Sequence, residues 1–402
     1  METTRLENFT GINNRASDNK MPAGALRECV NFDLDVNGLL HQRNGYFGKI
    51  EGVFTRVWSD NKRCFGVMDG DLVEITEVDD TYSAAVLQSS VDDWIDFSEC
   101  DGDYYFVGAT VTGKITGSSV VSFGIDKVNA VPTLSAVSGT MAAGRYQVAV
   151  THIDANGFES GVGSYALITL TANSSISLNN IPTSINPRVL YAIIYVSTPN
   201  GKEVYRNGIV ANGVTTYSIT DIAADISQLF TKSLDSAPNG TIIRYHYGRL
   251  FIANANYVFY SQGQDYEHFD ARNYLAYSEA VTAVLPCEDG LWISADGLYF
   301  IQGRNPDVFT LQESQVKKAD LRIYQNSCAF VEARNLKIDG YSGYGWYATT
   351  DDGIVFLGNG GFMRNETNAT YLMPSFTEVC GALIETPDSY HYAAIMIDGI
   401  LT

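Results

Sequence analysis

The sequence predicts an all-β chain, and three observations predict it. Apolar runs alternate with a period of two, tight-turn dipeptides interrupt them at short intervals, and no stretch supports a long amphipathic helix. The composition agrees: 36 Gly, 25 Tyr and 19 Phe in 402 residues, with 45% apolar and 18% charged residues, belong to a strand-rich globular chain. This length buries a full core without disulfides and suggests two or three domains.

Residues 1–50 carry six acids and six bases and read as an N-terminal docking segment with the first strands. Residues 51–128 carry fifteen acids and five bases, 129–236 six and five, and 237–402 nineteen and ten. A near-neutral stretch between two acidic ones reads as an insertion (129–236) into one discontinuous domain (51–128 and 237–402).

The flanking parts repeat a unit of strand, turn and strand. It recurs at CFGVMDGDLVEIT (64–76), DYYFVGATVTGKIT (103–116), GRLFIANANYVFYS (248–261), DGLWISADGLYFIQG (289–303), DDGIVFLGNGGFMR (351–364) and YHYAAIMIDGILT (390–402). Asp-Gly and Asn-Gly tips suit type I′ turns, because both residues accept positive φ. Repeated hairpins predict an irregular β-propeller of about six blades.

Inside the insertion the candidate strands are 144–154, 165–171, 174–180, 189–197, 202–210 and 215–220, separated by Asn-Gly and Pro turn signals. About seven short strands in roughly 100 residues predict a fibronectin III or immunoglobulin-like sandwich. Two short helices are predicted, at SVDDWIDF (90–97) and ADISQLF (224–230).

Motifs of catalysis and cofactor binding are absent: no HExxH, GxSxG, Walker loop or helix-opening GxGxxG occurs. The six cysteines form no CxxC pair and read as free thiols of a reducing compartment. The five histidines are isolated in sequence, although His246 and His268 flank a strand pair that could bring them together. DANGFES (154–160) lacks the full calcium-loop pattern and reads as a hairpin turn. No enzyme, cofactor or metal is expected. No apolar run reaches 18 residues and the N-terminus is polar, so neither a membrane-spanning helix nor a secretory signal is expected.

Net charge is −20, which removes the basic footprint of a nucleic-acid grip. No Lys or Arg occurs between Arg63 and Lys114, whereas acids crowd that stretch. Asp69, Asp71, Glu74, Asp79, Asp80, Asp92, Asp93, Asp101 and Asp103 are the candidate lining of an acidic channel. A narrow ring of such charge repels a phosphate backbone, so duplex DNA passes without sticking.

Three segments carry a family resemblance. NFTGINNR (8–15) with MPAGALRECVNFDLDVNGLLHQRNGY (21–46) joins a Leu-x-Glu-x-x-Asn-x-Asp stretch to an Asn-Gly turn and an Arg-x-Gly-Tyr. RYHYGRLFIANANYVFYSQGQDYEHFDARNYL (244–275) and EDGLWISADGLYFIQGRNPDVFTL (288–311) are the others. Together they cover about a third of the chain and resemble tail nozzle proteins (tubular tail or packaged-DNA stabilisation proteins) of short-tailed bacteriophages. The insertion is similar to those common in phage tail proteins.

The resemblance implies an irregular propeller, a homo-hexameric ring below the portal and adaptor, contact with tail fibre or needle proteins, and retention of packaged double-stranded DNA in a virion tail assembled in the host cytoplasm. It implies no catalytic residues. Many relatives are longer, so fibre-docking parts are reduced or differently placed here. Arg27, Arg43 and Tyr46 are the candidate docking contacts, since Arg and Tyr anchor interfaces. The alternative is a receptor- or glycan-binding tail protein using Tyr341, Tyr344, Trp346 and Tyr347 of the Gly-rich stretch 339–350.

Overall fold

The computed structural model describes residues 8–29, 32–34, 38–42, 48–222, 227–303, 315–367, 369–386 and 389–397. The described chain is all-β, and its only helices are four single 3-10 turns. Five antiparallel meanders follow one another. The first holds Phe54–Ser59, Cys64–Met68, Asp71–Val78 and Thr81–Gln88; the second holds Ile95–Cys100, Asp103–Gly108, Thr112–Thr116 and Ser119–Val121. The third runs through Ile242–His246, Arg249–Asn254, Tyr257–Gln262 and Asp265–Ala276, with Leu234–Asp235 added at its outer edge. The fourth comprises Ala283–Cys287, Gly290–Ser294, Leu298–Gln302 and Gln315–Ala319, and the fifth Ala329–Glu332, Tyr344–Thr350, Gly353–Leu357 and Met363–Asn365. A hairpin, Glu378–Thr386 with Ser389–Ile397, follows.

Local sequence explains the hairpins. Asp69-Gly70 (φ 54° and 82°) and Asp101-Gly102 (φ 53° and 88°) take the positive φ pair that matches strand twist. The inner strands are buried on both faces, so Val67, Leu72, Phe97, Phe106, Phe251 and Leu291 are sealed from water. Cores form between neighbouring meanders: Phe65 and Val67 pack with Ile95, Phe97 and Phe106, while Phe251 and Val258 pack with Val284, Leu291 and Ile293.

The insertion contains seven strands in two sheets. Thr133–Met141, Ser174–Asn179 and Tyr217–Ile219 pair in the order first, fourth, seventh. Ala166–Leu170, Gly144–Asp154, Val189–Ser197 and Val204–Ala211 pair in the order third, second, fifth, sixth. Tyr146, Val148 and Ile194 of one sheet meet Ile176, Leu178 and Ile219 of the other in a shared core, which makes a sandwich. The first six strands pair as B, C, C′, E, F and G of an immunoglobulin fold do; the seventh lies beyond E.

Several sequence expectations change. Residues 90–97 form no helix: Ile95–Cys100 is a strand, because Asp96 is satisfied by distant arginines rather than by water. The second predicted helix lies partly outside the described residues, and Gln228 forms an extended bridge to Tyr205. Residues 390–397 do not begin a new hairpin but pair backwards with 378–386, and 398–402 lie outside the described residues. Thr133–Met141 was not foreseen as a strand.

Candidate functional site

The first strand of every meander, together with the final hairpin, borders one cavity of about 610 Å³. The backbones there are tied laterally. Ile243 N–H donates to Asp96 and Tyr245 N–H to Ser98 Oγ, each at 3.0 Å, and Val284 N–H donates to Gln325 Oε1 at 3.0 Å. Tyr392 O–H of the hairpin donates to Ser327 O at 2.6 Å.

Two arginines of a buried ion triad, Arg56 and Arg244, form the cavity floor, with Asp96 behind them. The Asp96 side chain is 0% exposed and takes Arg56 Nη2 at 3.0 Å on one oxygen and Arg244 Nη1 on the other. Arg56 stacks on Trp94, 4.4 Å from the ring centre, and its Nη1 reaches Asn326 Oδ1 at 3.4 Å. Its Nε is buried with no hydrogen-bond partner among the described residues. Among the described residues, the hydrogen bonds from Arg244 leave through Nη1, to Asp96, Ile243 O and Phe97 O. Beyond Gln325 and Asn326 lies a second pocket, of about 240 Å³, bordered by Trp94, Tyr324 and Val379. The two pockets therefore lie back to back, with Gln325 and Asn326 as a polar plug between them.

The wall of the larger cavity is aromatic. Phe330 and Trp346 are paired across adjacent strands with ring centres 5.1 Å apart, and Tyr344 stacks on Phe330 at 5.6 Å. Trp346 Nε1 donates to Pro286 O at 2.7 Å, which fixes its ring. Cys328 also borders the cavity, but burial pushes its thiol up to about 12, away from nucleophilic chemistry. Among the described residues no cluster of three His, Cys, Asp or Glu is placed to hold a metal ion.

None of the nine predicted lining acids borders this cavity. Asp69, Asp79, Asp80, Asp93 and Asp101 are exposed; four of them sit at positive φ in hairpin turns. The other four are half-buried and engaged. Asp71 accepts from Ser90 N–H, Glu74 pairs with Arg63 at 2.7 Å, and Asp103 pairs with Lys114 at 2.7 Å. Asp92 caps Thr110 and Val111, which holds its carboxyl below the usual range despite partial desolvation. By strand direction, Asp79, Asp80 and Asp101 share the end at which the cavity opens, and Asp69 and Asp93 lie at the other.

Arg27 is committed within the chain, donating to Ala16 O at 2.8 Å and pairing with Asp18. Arg43 and Tyr46 lie outside the described residues. His246 and His268 do not meet: the first reaches Gly303 O and packs on Phe251, while the second bonds Asp265 and stacks on Phe158. Tyr341 and Tyr347 are half-buried in packing, Trp346 borders the cavity, and Tyr344 is exposed outside the lining, where it stacks on Phe330. Sequence reasoning missed Arg56, Arg244 and Asp96 as a unit. The available signal was Asp96 alone between Ile95 and Phe97.

Comparison with known proteins adds no identity. No family model and no curated protein matches the chain. Among solved structures, PorZ, a surface component of the type-IX secretion system of Porphyromonas gingivalis, is 12% identical with a TM-score of 0.21, over 89% of this chain and 52% of its own. The extracellular domain of a putative hybrid two-component system from B. thetaiotaomicron is 12% identical with a TM-score of 0.24, over 90% and 54%. The chain thus spans about half the length of either, and likeness at these TM-scores carries no weight for fold or function.

Proposed function

We propose that the chain is a structural subunit of a phage tail nozzle, built as an irregular β-propeller with an inserted sandwich. The observation that carries the propeller is the single cavity bordered by the first strand of five successive meanders. Two of the family-like segments support the nozzle, because they occupy equivalent hairpins, the second and third strands of the third and fourth meanders. The N-terminal segment adds a closure: Asn14 and Arg15 hydrogen-bond Thr370, Tyr371 and Leu372 near the end of the chain.

The plugged cavity is too small for a duplex whose major groove alone is about 12 Å wide. The DNA path would therefore run between copies. A closed ring of identical copies needs two complementary faces on each. The exposed Asp79, Asp80 and Asp101 would supply the repelling wall, and the ring would dock on portal and adaptor and carry fibre or needle proteins. The test is molar mass in solution with negative-stain averages, alone and with a portal–adaptor complex. A closed ring with an open centre supports the nozzle. Monomers in both conditions overturn it.

A further inference from the structure

We propose that the mouth of the central cavity binds an acidic sugar, a pyranose ring carrying a carboxylate, as in the uronic acids. The argument starts from the charge left at the floor. Two guanidiniums converge on one carboxylate, Asp96, and neither spends all of its N–H groups there. Arg56 Nε has no partner, and Arg244 Nε and Nη2 have none among the described residues. Arg56 Nε is sealed from solvent, whereas Arg244 Nε and Nη2 are not sealed and remain open to a ligand at the cavity. A ligand carboxylate is the acceptor that fits, since a guanidinium offers it two parallel N–H bonds.

The wall supplies the rest. Phe330 and Trp346 border the cavity, and Tyr344 stacks on Phe330 just outside the lining; Phe330 and Tyr344 are 51% and 57% exposed, so the aromatic surface continues outward from the cavity. Such a surface takes the apolar face of a sugar ring while leaving its hydroxyls free. Glu99 borders the cavity with one oxygen held by Gly102 N–H at 3.0 Å and the other available to a hydroxyl. The volume of about 610 Å³ lies inside the ~300–1,000 Å³ range of ligand pockets. A purely structural triad accounts for Asp96 but not for the exposed aromatic stack beside the open edge of Arg244. The site is complete in one copy, so its fate is separate from that of the ring.

The test titrates the full chain with a trisaccharide of galacturonate, and with maltotriose as the neutral control. Binding is read by tryptophan fluorescence, because Trp58 and Trp346 border the cavity. Galacturonate is expected to give a saturable change with a Kd below about 1 mM, weakened by salt, and maltotriose none. Arg244→Gln is expected to weaken binding roughly tenfold or more. Tyr344→Ala, at an exposed position, is expected to weaken it without moving the melting midpoint, which keeps the test decisive where Arg244→Gln fails to fold. Equal response to both sugars, or no saturable signal up to about 10 mM, overturns the proposal.

Discussion

Asp96 decides more than any other single residue. It is fully buried, carries a charge, and is neutralised by arginines 40 and 148 positions away. Removing one member of a buried ion cluster leaves the others uncompensated. Asp96→Ala is therefore expected to cost roughly 3–5 kcal/mol in urea unfolding. A cost under about 1 kcal/mol would mean that water already screens the triad. His246 gives the pH counterpart. Burial against Phe251 lowers its pKa from 6.5 to about 4, with the Gly303 carbonyl opposing the shift. The unfolded chain then binds more protons between those values. Stability is full above pH 6.5 and falls as pH drops toward about 4, by at most roughly 3 kcal/mol from this group. His246→Gln should flatten that part of the stability–pH curve, and an unchanged slope would assign it to other groups.

Turns and strands show what is legible locally. Gly70 has φ 82° and open space around its Cβ position, so Gly70→Ala should cost only the backbone term, about 1 kcal/mol. A Cβ on Gly290 would stand 2.2 Å from Ile301 O of the paired strand. Gly290→Ala should therefore cost clearly more in the same denaturation experiment; similar costs would show that the fourth meander relaxes freely. The Gly70 turn was readable because Asp-Gly dictates its own geometry. Strands 144–154 and 189–197 were readable to the residue because Tyr146, Val148, Ile194 and Val196 keep one face apolar. Thr133–Met141 was not, since it is a mostly exposed strand of small and polar residues with a register shift between Ser138 and Met141. The cavity was invisible for a different reason. Its Trp346 stood out in sequence, but its floor depends on pairings between meanders, and no local pattern encodes those.

At the scale of the whole molecule, the question is whether the insertion and the meanders are separate cooperative units. The chain enters and leaves the sandwich side by side: Ala237 N–H donates to Phe123 O at 3.2 Å and Lys127 N–H to Asp235 Oδ1 at 3.0 Å. A short linker could therefore join residue 126 to residue 236 without moving either strand. What excision would break is a charged seam. Arg188 of the sandwich pairs with Glu267 of the third meander and, at 3.0 Å, with its own Asp154. Lys114 holds Glu267 from the other side at 3.1 Å. His268 reaches Glu159 O at 2.8 Å and stacks on Phe158. With Arg188 gone, Glu267 keeps Lys114 and gains water, so the loss should be modest, roughly 1–3 kcal/mol. The sandwich has its own core from Tyr146 to Ile219 and needs none of the meanders to complete it. Two cooperative transitions are thus expected in calorimetry: one from fragment 127–235 alone and one, at lowered temperature, from the excised chain. If neither part folds alone, the seam is part of a single core, and the acidic and near-neutral stretches of the sequence do not mark a domain boundary.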